Sequence, residues 1–384
     1  MFERRFLPIV VVFLVALLVL VVGLWASDRA SYGNTVNQTA SKSLASQQYH
    51  WKIVTTWPKN LPGLGSAAEN FARFVSEMSD GRLTVTVYGA GEIVPAFEVF
   101  DAVSQGVAEV GHGASYYWKG KIPAAVFYTA VPFGMTAQEM NGWLHYGGGL
   151  ELWRQLYAPF GVIPFAGGST GVQMAGWFNR ELKTAADLQG LKMRIPGLAG
   201  EVFNASGGTA VRIAGGEVYT SMQTGVIDAV EWVGPYNDRT LGLNQVADYY
   251  YYPGWHEPGA MLEFTVNKKA FDALPSDLQA IVRYATRAAN QDMLDEFTAR
   301  NNESLQSLLA DGTQLRKLPD DVLKVLYDNA QTALASLTAN DPMAQKIAHS
   351  YTAFANDVRA YHEISERAYL NVRDRVLPSV FPRP

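Results

Sequence analysis

The order of the predicted secondary structure constrains the fold of this chain more than any other feature. Between residues 50 and 275, short apolar segments typical of strands alternate with segments of helical period. After Pro275 nearly everything up to residue 377 is compatible with helix. Alternating strands and helices predict an α/β fold with mainly parallel sheets, and the helical tail suits two lobes around a cleft.

Several elements carry clear boundary signals. Ser66 and Thr136 each stand three residues before a glutamate, which is the spacing of a capping box. Helices are therefore predicted from these positions, ending near Met78 and near residue 160. Strands are predicted at residues 50–56, 82–89, 108–114, 161–167, 172–178, 191–197, 208–214, 227–233 and 259–266.

The N-terminus has the pattern of an export signal. Arg4 and Arg5 precede twenty residues without a charge, Phe6–Trp25, and basic residues before an apolar run are typical of a secretory leader. The run is also long enough to cross a bilayer, and it is followed by a poor cleavage site. Residues 1–26 are therefore interpreted as a cleaved signal peptide or a retained anchor. Residues 27–49, rich in small polar residues, are predicted to be a linker.

Composition and motifs exclude several classes of function. The chain has 384 residues, a net charge of -5 and no cysteine, which argues against nucleic-acid binding, disulfides and thiol catalysis. Phosphate-binding loops, dinucleotide fingerprints and hydrolase or zinc-protease motifs are absent from the sequence. The chain is therefore not expected to be an enzyme. The alternative is a lyase or hydrolase of a small acid, with Glu231 or Asp228 as general acid/base.

Three polar residues interrupt apolar strand segments: Gln173, Arg194 and Glu231. Each has an ordinary explanation, and Glu231 in particular could pair with Lys192 or Arg212. Together they indicate a site, because strand ends of a doubly wound sheet converge at a crevice. Arginine presents a planar fork to a carboxylate. Glutamine and glutamate oxygens suit Na⁺ or Ca²⁺ better than zinc.

A family resemblance rests on the segment ELKTAADLQGLKMRIPG at residues 181–197. It resembles the central signature of substrate-binding proteins of tripartite ATP-independent periplasmic (TRAP) transporters. The resemblance runs from about Trp51 to about Arg373. The segments GVQMAGWF, KMRIPG, DAVEWVGPYND and YYYPGWHEPG resemble the subgroup that binds 2-oxo acids such as pyruvate.

The resemblance implies a two-lobed periplasmic binding protein fold, type II-like, with long C-terminal helices. The solute-binding domain is expected at residues 50–377, with residues 378–384 as a tail. One lobe would combine roughly residues 50–165 with part of 250–300. The other would combine residues 166–250 with later helices.

The resemblance also implies roles for individual residues. Arg194 would clamp the ligand carboxylate. Gln173, Glu231 and the backbone carbonyl of Trp232 would hold a metal ion, usually sodium, with calcium as the alternative, and Glu257 is a further candidate ligand. With sodium, the two positive charges of Arg194 and the ion balance the two negative charges of Glu231 and the ligand carboxylate.

Aromatic side chains are candidates for the walls of such a pocket. Tyr117 and His256 are expected to contact the substrate, and Tyr116, Trp118 and Trp255 are further candidates. Core packing is the alternative for each of them.

The function implied is that of an extracytoplasmic solute-binding protein. It would bind a pyruvate-like 2-oxo monocarboxylate with a cation and deliver it to the TRAP membrane subunits. The protein is expected in the periplasm, either free or tethered through residues 6–25. The apolar stripe of residues 319–377, and dimers in the subgroup, predict a homodimer; a helix packed on its own chain is the alternative. A sensor that presents its ligand to a partner is a second functional alternative.

Overall fold

The computed structural model describes residues 12–29 and 47–377, in two units that divide after Tyr49. The basic residues of the predicted leader, most of the predicted linker and the tail at 378–384 lie outside the described residues. The first unit contains helix α1 (Val12–Arg29), which has a mean hydropathy of 2.0. By length and composition α1 could cross a membrane, but a signal sequence passes the same test.

The second unit contains eleven strands in two sheets. Their bounds are β1 (Tyr49–Thr55), β2 (Leu83–Tyr88), β3 (Val110–Gly113), β4 (Val162–Ser169), β5 (Gly176–Phe178), β6 (Lys192–Arg194), β7 (Thr209–Val211), β8 (Ala229–Val230), β9 (Tyr249–Tyr252), β10 (Met261–Asn267) and β11 (Gln314–Lys317). The first sheet has the order β2-β1-β3-β10-β4, and the second has the order β11-β9-β5-β8-β6-β7.

The described helices of this unit include three after the last crossover between the sheets. The bounds are α2 (Leu64–Met78), α3 (Val99–Ser104), α4 (Ala137–Tyr146), α5 (Gly149–Tyr157), α6 (Gly197–Ala205), α7 (Val218–Gln223), α8 (Pro235–Thr240), α9 (Lys268–Asp272), α10 (Ser276–Ala310), α11 (Asp320–Thr338), α12 (Pro342–Ile364) and α13 (Glu366–Val376). Strands followed by helices confirm the α/β class and the helical tail.

Both sheets are mainly parallel, as predicted, but each contains one reversed strand. Strand β10 runs antiparallel to β3 and β4, and β5 runs antiparallel to β8 and β9. Each of these strands is the first one after the chain passes from one sheet to the other. At these two crossings the chain enters the new sheet in the reverse direction, and local periodicity carries no information about that direction.

Two helix boundaries differ from the prediction. The capping box at Thr136 is present and opens α4, but the single helix predicted as far as residue 160 is broken after Tyr146. Gly148 adopts a φ of 83° there, in the left-handed region that suits glycine. The capping box predicted at Ser66 is absent. Helix α2 begins two residues earlier, and the Ser66 hydroxyl donates to Glu296 instead.

Strands β9 and β11 were not predicted. Strand β9 consists of four tyrosines and β11 is largely polar, so neither shows a period of two. They pair in parallel at the edge of the second sheet. The strands predicted at 172–178 and 227–233 are also shorter than expected, which leaves Gln173 and Glu231 in loops.

Candidate ligand and cation site

Parallel pairing of two short strands brings the candidate arginine and glutamate together. Strand β6 ends at Arg194, whose pairing partner in β8 is Val230. The backbone N–H of Glu231 donates to the Arg194 carbonyl at 3.1 Å. Carboxyl ends of parallel strands meet at the same sheet edge, so both side chains emerge from that edge.

Arg194 is the centre of this group and is only 1% exposed. Its Nη1 donates to the Glu231 carbonyl at 2.8 Å and to Glu231 Oε2 at 3.1 Å. Its Nη2 lies 3.4 Å from the hydroxyl of Tyr117, and its guanidinium lies 4.8 Å from the centre of the Trp232 ring. A buried guanidinium with a buried carboxylate partner avoids the cost of an isolated charge.

The alternative partners considered for Glu231 are not the observed ones. The side chain of Lys192 is exposed. Arg212 donates to the Tyr117 carbonyl at 3.1 Å and stacks on Phe97, 4.2 Å from the ring centre. The salt bridge of Glu231 is with Arg194, because the strand register, and not proximity in sequence, selects the partner.

Gln173 reaches the same group from the loop between β4 and β5. Its side-chain Nε2 donates to Glu257 Oε2 at 2.8 Å and to the hydroxyl of Thr170 at 3.1 Å. Its backbone N–H donates to the Glu257 carbonyl at 3.2 Å. With Nε2 fixed in this way, the amide oxygen of Gln173 is free to face another group.

Several buried polar atoms of this group have no hydrogen-bond partner among the described residues. They are Gln173 Oε1, Glu231 Oε1 and both ring nitrogens of His256. The Trp232 carbonyl likewise accepts no hydrogen bond from any residue that the structure describes. Each unpaired buried polar atom costs about 1–3 kcal/mol, so such a concentration indicates a binding site.

These atoms fit a hard cation. Ligand atoms of Glu231, His256 and Glu257 all lie within 4.8 Å of one another, and Nε2 of His256 lies 3.7 Å from Glu231 Oε1. Carboxylate, amide and backbone oxygens are the ligands that calcium takes in proteins. Sodium also prefers oxygen ligands, whereas zinc would favour nitrogen and sulfur ligands. The residues present therefore fit sodium or calcium.

Burial shapes the ionisation of the surrounding groups. The pKa of Glu257 lies well above its usual value, first because of burial and then because of the negative charge on Glu231. Burial also raises the pKa of Tyr116 and of Tyr117, so both phenols stay neutral and can donate hydrogen bonds. The group therefore contains the positive charge of Arg194 together with three acidic groups, those of Glu257, Tyr116 and Tyr117, that are costly to ionise.

The aromatic candidates divide into two sets. Tyr116, Tyr117 and His256 are in or beside the group. Trp118 donates its indole N–H to Glu263, a separate buried carboxylate, so for Trp118 core packing is the better description. Trp255 stacks edge-on against His256, with ring centres 5.6 Å apart.

Asp228 does not join this group. Its carboxylate accepts from the backbone N–H of Lys192 at 2.9 Å, at the opposite end of the strands from Arg194 and Glu231. Of the two alternatives for a general acid/base in the enzyme hypothesis, Asp228 therefore lies away from the group and Glu231 lies within it.

Sequence reasoning missed Asp238, which fixes the loop that follows Trp232. Its Oδ1 accepts from the backbone N–H groups of Val233 and Gly234, at 3.1 and 3.0 Å. Its Oδ2 accepts from the side chains of Trp177 and Tyr250, at 3.0 and 2.7 Å. Burial raises the pKa of Asp238 to about 7. An aspartate at the start of a short helix after Gly-Pro was the available signal.

Comparison with known proteins identifies the family. The family model described as bacterial extracellular solute-binding protein, family 7 (DctP), matches residues 53–341. The chain belongs to this family. DctP-family proteins are extracellular solute-binding proteins of bacteria. The resemblance to TRAP substrate-binding proteins is thereby confirmed, as is the extracytoplasmic character of the family.

Relatives of this DctP-family chain carry more specific descriptions. It is 43% identical over 337 residues to the monocarboxylate 2-oxoacid-binding periplasmic protein of Nostoc sp., covering 88% of this chain and 92% of that one. A TRAP periplasmic solute-binding protein from Colwellia psychrerythraea was crystallised with calcium and pyruvate. One from Pseudoalteromonas atlantica was crystallised with sodium and pyruvate. Each is 43% identical, with a TM-score of 0.82, over 85% of this chain and 99% of the other. The expected fold is confirmed.

Proposed function

We propose that this chain is a TRAP solute-binding protein for a pyruvate-like 2-oxo monocarboxylate, taken up together with Na⁺ or Ca²⁺. The observation that carries the proposal is the buried Arg194 beside unpaired oxygens of Gln173 and Glu231. The descriptions of the Nostoc, Colwellia and Pseudoalteromonas proteins support the same ligand class. Delivery to the membrane subunits follows from the family.

Each residue has a separate task in this proposal. Arg194 binds the carboxylate of the ligand. Gln173, Glu231 and the carbonyl of Trp232 hold the cation, and Glu257 is the additional ligand. The cation, when bound, attracts the keto and carboxylate oxygens of the ligand. His256 and Tyr117 complete the polar contacts with the substrate.

Charge balance indicates how two cations can use the same residues. With Na⁺, the positive charges of Arg194 and the ion balance Glu231 and the ligand carboxylate. With Ca²⁺, an ionised Glu257 restores the balance. A site that is dry and closed needs this neutrality because unbalanced buried charge is costly.

The decisive test is ligand binding by the full chain in detergent, measured calorimetrically with pyruvate in the presence of Na⁺ or Ca²⁺. Arg194→Ala should abolish binding, because the ligand carboxylate loses its only buried guanidinium partner in this group. Arg212→Lys is the matched control, since Arg212 contacts only the Tyr117 carbonyl and Phe97 here. Near-native affinity of the Arg194→Ala variant would refute the proposed role.

We also propose that the protein has no enzymatic activity and is not primarily a sensor. Glu231 is held by Arg194, and Asp228 lies at the other end of the strands, so we do not assign either of them as a general acid/base. Pyruvate should be recovered unchanged after prolonged incubation with the purified protein. Measurable turnover would favour the enzyme alternative.

Two further assignments concern assembly and the membrane. Helix α13 has no buried residue and exposes Tyr369, Leu370, Val372 and Val376, so we propose that it packs against a second copy of the chain. A monomer by light scattering at micromolar concentration would contradict this.

We propose that α1 tethers the protein to the inner membrane. A mature N-terminus beyond Arg29 would contradict this proposal.

A further inference from the structure

Helices α4 and α5 on one side and α10 on the other enclose a groove that the proposed ligand site does not use. Three cavities of about 470, 160 and 500 Å³ follow one another along it. The first two share Arg154, Phe165 and Arg283, and the last two share His145 and Arg287. We call this the basic groove and define it by Arg154, Arg283, Arg287 and His145.

The arginines of the basic groove lack acidic partners. None of the three forms a salt bridge with any residue in the described ranges. Of the residues that line the three cavities, Glu151 is the one carboxylate, and it accepts from Gln155 at 3.2 Å. The Nε of Arg154 is buried and has no hydrogen-bond partner among the described residues.

Burial and the positive charge of the basic groove both lower the pKa of its histidine. The pKa of His145 is lowered to about 4, first by burial and then by the charges of Arg287 and Arg154. The chain as a whole carries a net charge of -5, so the groove is a local positive region on an acidic protein. Such a region attracts negatively charged partners.

Two aromatic side chains border the basic groove and face solvent. Tyr146 is 87% exposed and Tyr284 is 66% exposed. Arginine and tyrosine are enriched where proteins recognise one another. Along α10, the lining runs from Arg283 to Leu294, which spans about 16 Å of helix. That length matches about five residues of extended chain.

We propose that the basic groove binds an extended acidic segment of a partner protein. Carboxylates of the segment would pair with Arg154, Arg283 and Arg287, and its apolar side chains would pack on Tyr146 and Tyr284. A flat anionic bilayer fits less well, because the three arginines line consecutive cavities of a groove between helices and not a flat surface. The proposal does not depend on the 2-oxo acid site.

The probe for this proposal is a fluorescein-labelled hexapeptide of four glutamates and two phenylalanines, with binding to the full chain followed by fluorescence anisotropy. We expect saturable binding that weakens with added salt. The double variant Arg283→Glu/Arg287→Glu should weaken it by about tenfold or more, as reversal of close charges does in protein complexes. Lys317→Glu/Lys324→Glu is the matched control, because it makes the same change in net charge at exposed positions of another region.

A second variant separates local recognition from overall charge. Tyr146→Ala/Tyr284→Ala changes no charge and should still weaken peptide binding. The pyruvate-induced rise in melting temperature should persist in both groove variants, which shows that they fold. Two results with the peptide would overturn the proposal: no binding to the unmodified chain, or an equal loss of binding in the groove and control charge variants. It would also be overturned if the groove variants lost binding to phosphatidylglycerol vesicles but bound the peptide as the unmodified chain does.

Discussion

Glu231 is fully buried, and its two carboxylate oxygens have different surroundings. Oε2 accepts from Arg194, whereas Oε1 has no hydrogen-bond donor among the described residues. A buried carboxylate that is only half satisfied is costly. Within the proposed function, the cation and the ligand remove that cost.

This arrangement predicts the effect of Glu231→Gln. The substitution keeps the shape of the side chain but removes the charge that attracts the cation, so pyruvate affinity should fall by about a hundredfold, the range for truncating one partner of a buried charge pair. The stimulation by Na⁺ or Ca²⁺ should disappear. Calorimetry in sodium-free, chelated buffer and in sodium buffer measures both effects, with Glu263→Gln as a control at a separate buried carboxylate. Binding that remained dependent on the cation would contradict the assignment.

Glu263 itself predicts a pH-dependent stability. Burial raises its pKa to about 8, against an ordinary value of 4.5, although Trp118 and Tyr157 donate hydrogen bonds to it. Between these values the folded protein holds a proton that the unfolded chain has released. The stability contributed by this group is therefore complete below about pH 4.5 and is lost as the pH rises toward 8.

The variant Glu263→Gln cannot titrate and should not share this loss. From pH 5 to 8 the free energy of unfolding of the unmodified protein should fall relative to the variant, with a slope approaching about 1.4 kcal/mol per pH unit. Urea unfolding at several pH values measures the difference. Parallel curves for the two proteins would show that Glu263 does not bind this proton.

At the scale of secondary structure, two identical sequence signals had different outcomes. Thr136 caps α4 with Glu139, and the box is complete in both directions. Ser66 stands at the same spacing from Glu69 but lies inside α2, which begins at Leu64. There the preceding Gly63 adopts a φ of 70°, and a Cβ on it would come within 2.5 Å of the Phe297 ring. Packing against α10 therefore selects the start of α2.

This difference predicts unequal effects of two alanine substitutions. Thr136→Ala removes a side-chain cap and should lower the free energy of unfolding by about 1 kcal/mol. Ser66→Ala removes only a part-buried hydrogen bond to Glu296, 3.3 Å long, and should cost less. Urea denaturation of both variants tests the order. A larger loss for Ser66→Ala would mean that the N-cap of α4 contributes little.

At the scale of the whole molecule, contacts outside the proposed site join the parts that carry the two sheets. Lys119 follows the aromatic segment 115–118, next to the first sheet. Its Nζ donates to the Gly197 carbonyl at 2.9 Å and to Glu201 at 2.7 Å, both on α6 of the second sheet's part. We therefore propose that these bonds act as closing contacts, which stabilise the arrangement in which the two parts lie together.

Lys119→Ala should therefore weaken pyruvate binding although Lys119 does not belong to the proposed site. We expect the dissociation constant to rise several-fold, about 1 kcal/mol or less for a partly exposed pair, mainly through faster dissociation. Lys121→Ala is the control, since Lys121 pairs with Asp101 within the first part. Stopped-flow kinetics separates the two rates. Equal effects of both variants would argue against a closing contact.

Much of the fold could be predicted from local patterns. The period of each strand, the capping box at Thr136 and the helix after Pro275 correspond to elements of the structure. The direction of β5 and β10 could not be predicted, because it depends on how the chain crosses between sheets. Strands β9 and β11, at one side of the second sheet, could not be predicted either, since their sequences lack alternation.

The candidate site was predictable in its members but not in its contacts. Gln173, Arg194 and Glu231 stood out as polar residues in apolar segments, and the structure brings them together. Their roles in binding remain a prediction. The pairing of Arg194 with Glu231, and the bond from Gln173 to Glu257 across 84 positions of the chain, could not be derived from spacing.

The sequence by itself determined the α/β class and the family, because these depend on neighbouring residues and on a matching pattern. Only the tertiary structure decided which buried oxygens stay unpaired, which carboxylate meets Arg194, and that three arginines share one groove. The physical reason is that these properties arise from contacts between distant segments. Hydrophobic periodicity predicts which face of each segment is buried, but not which other segment that face packs against.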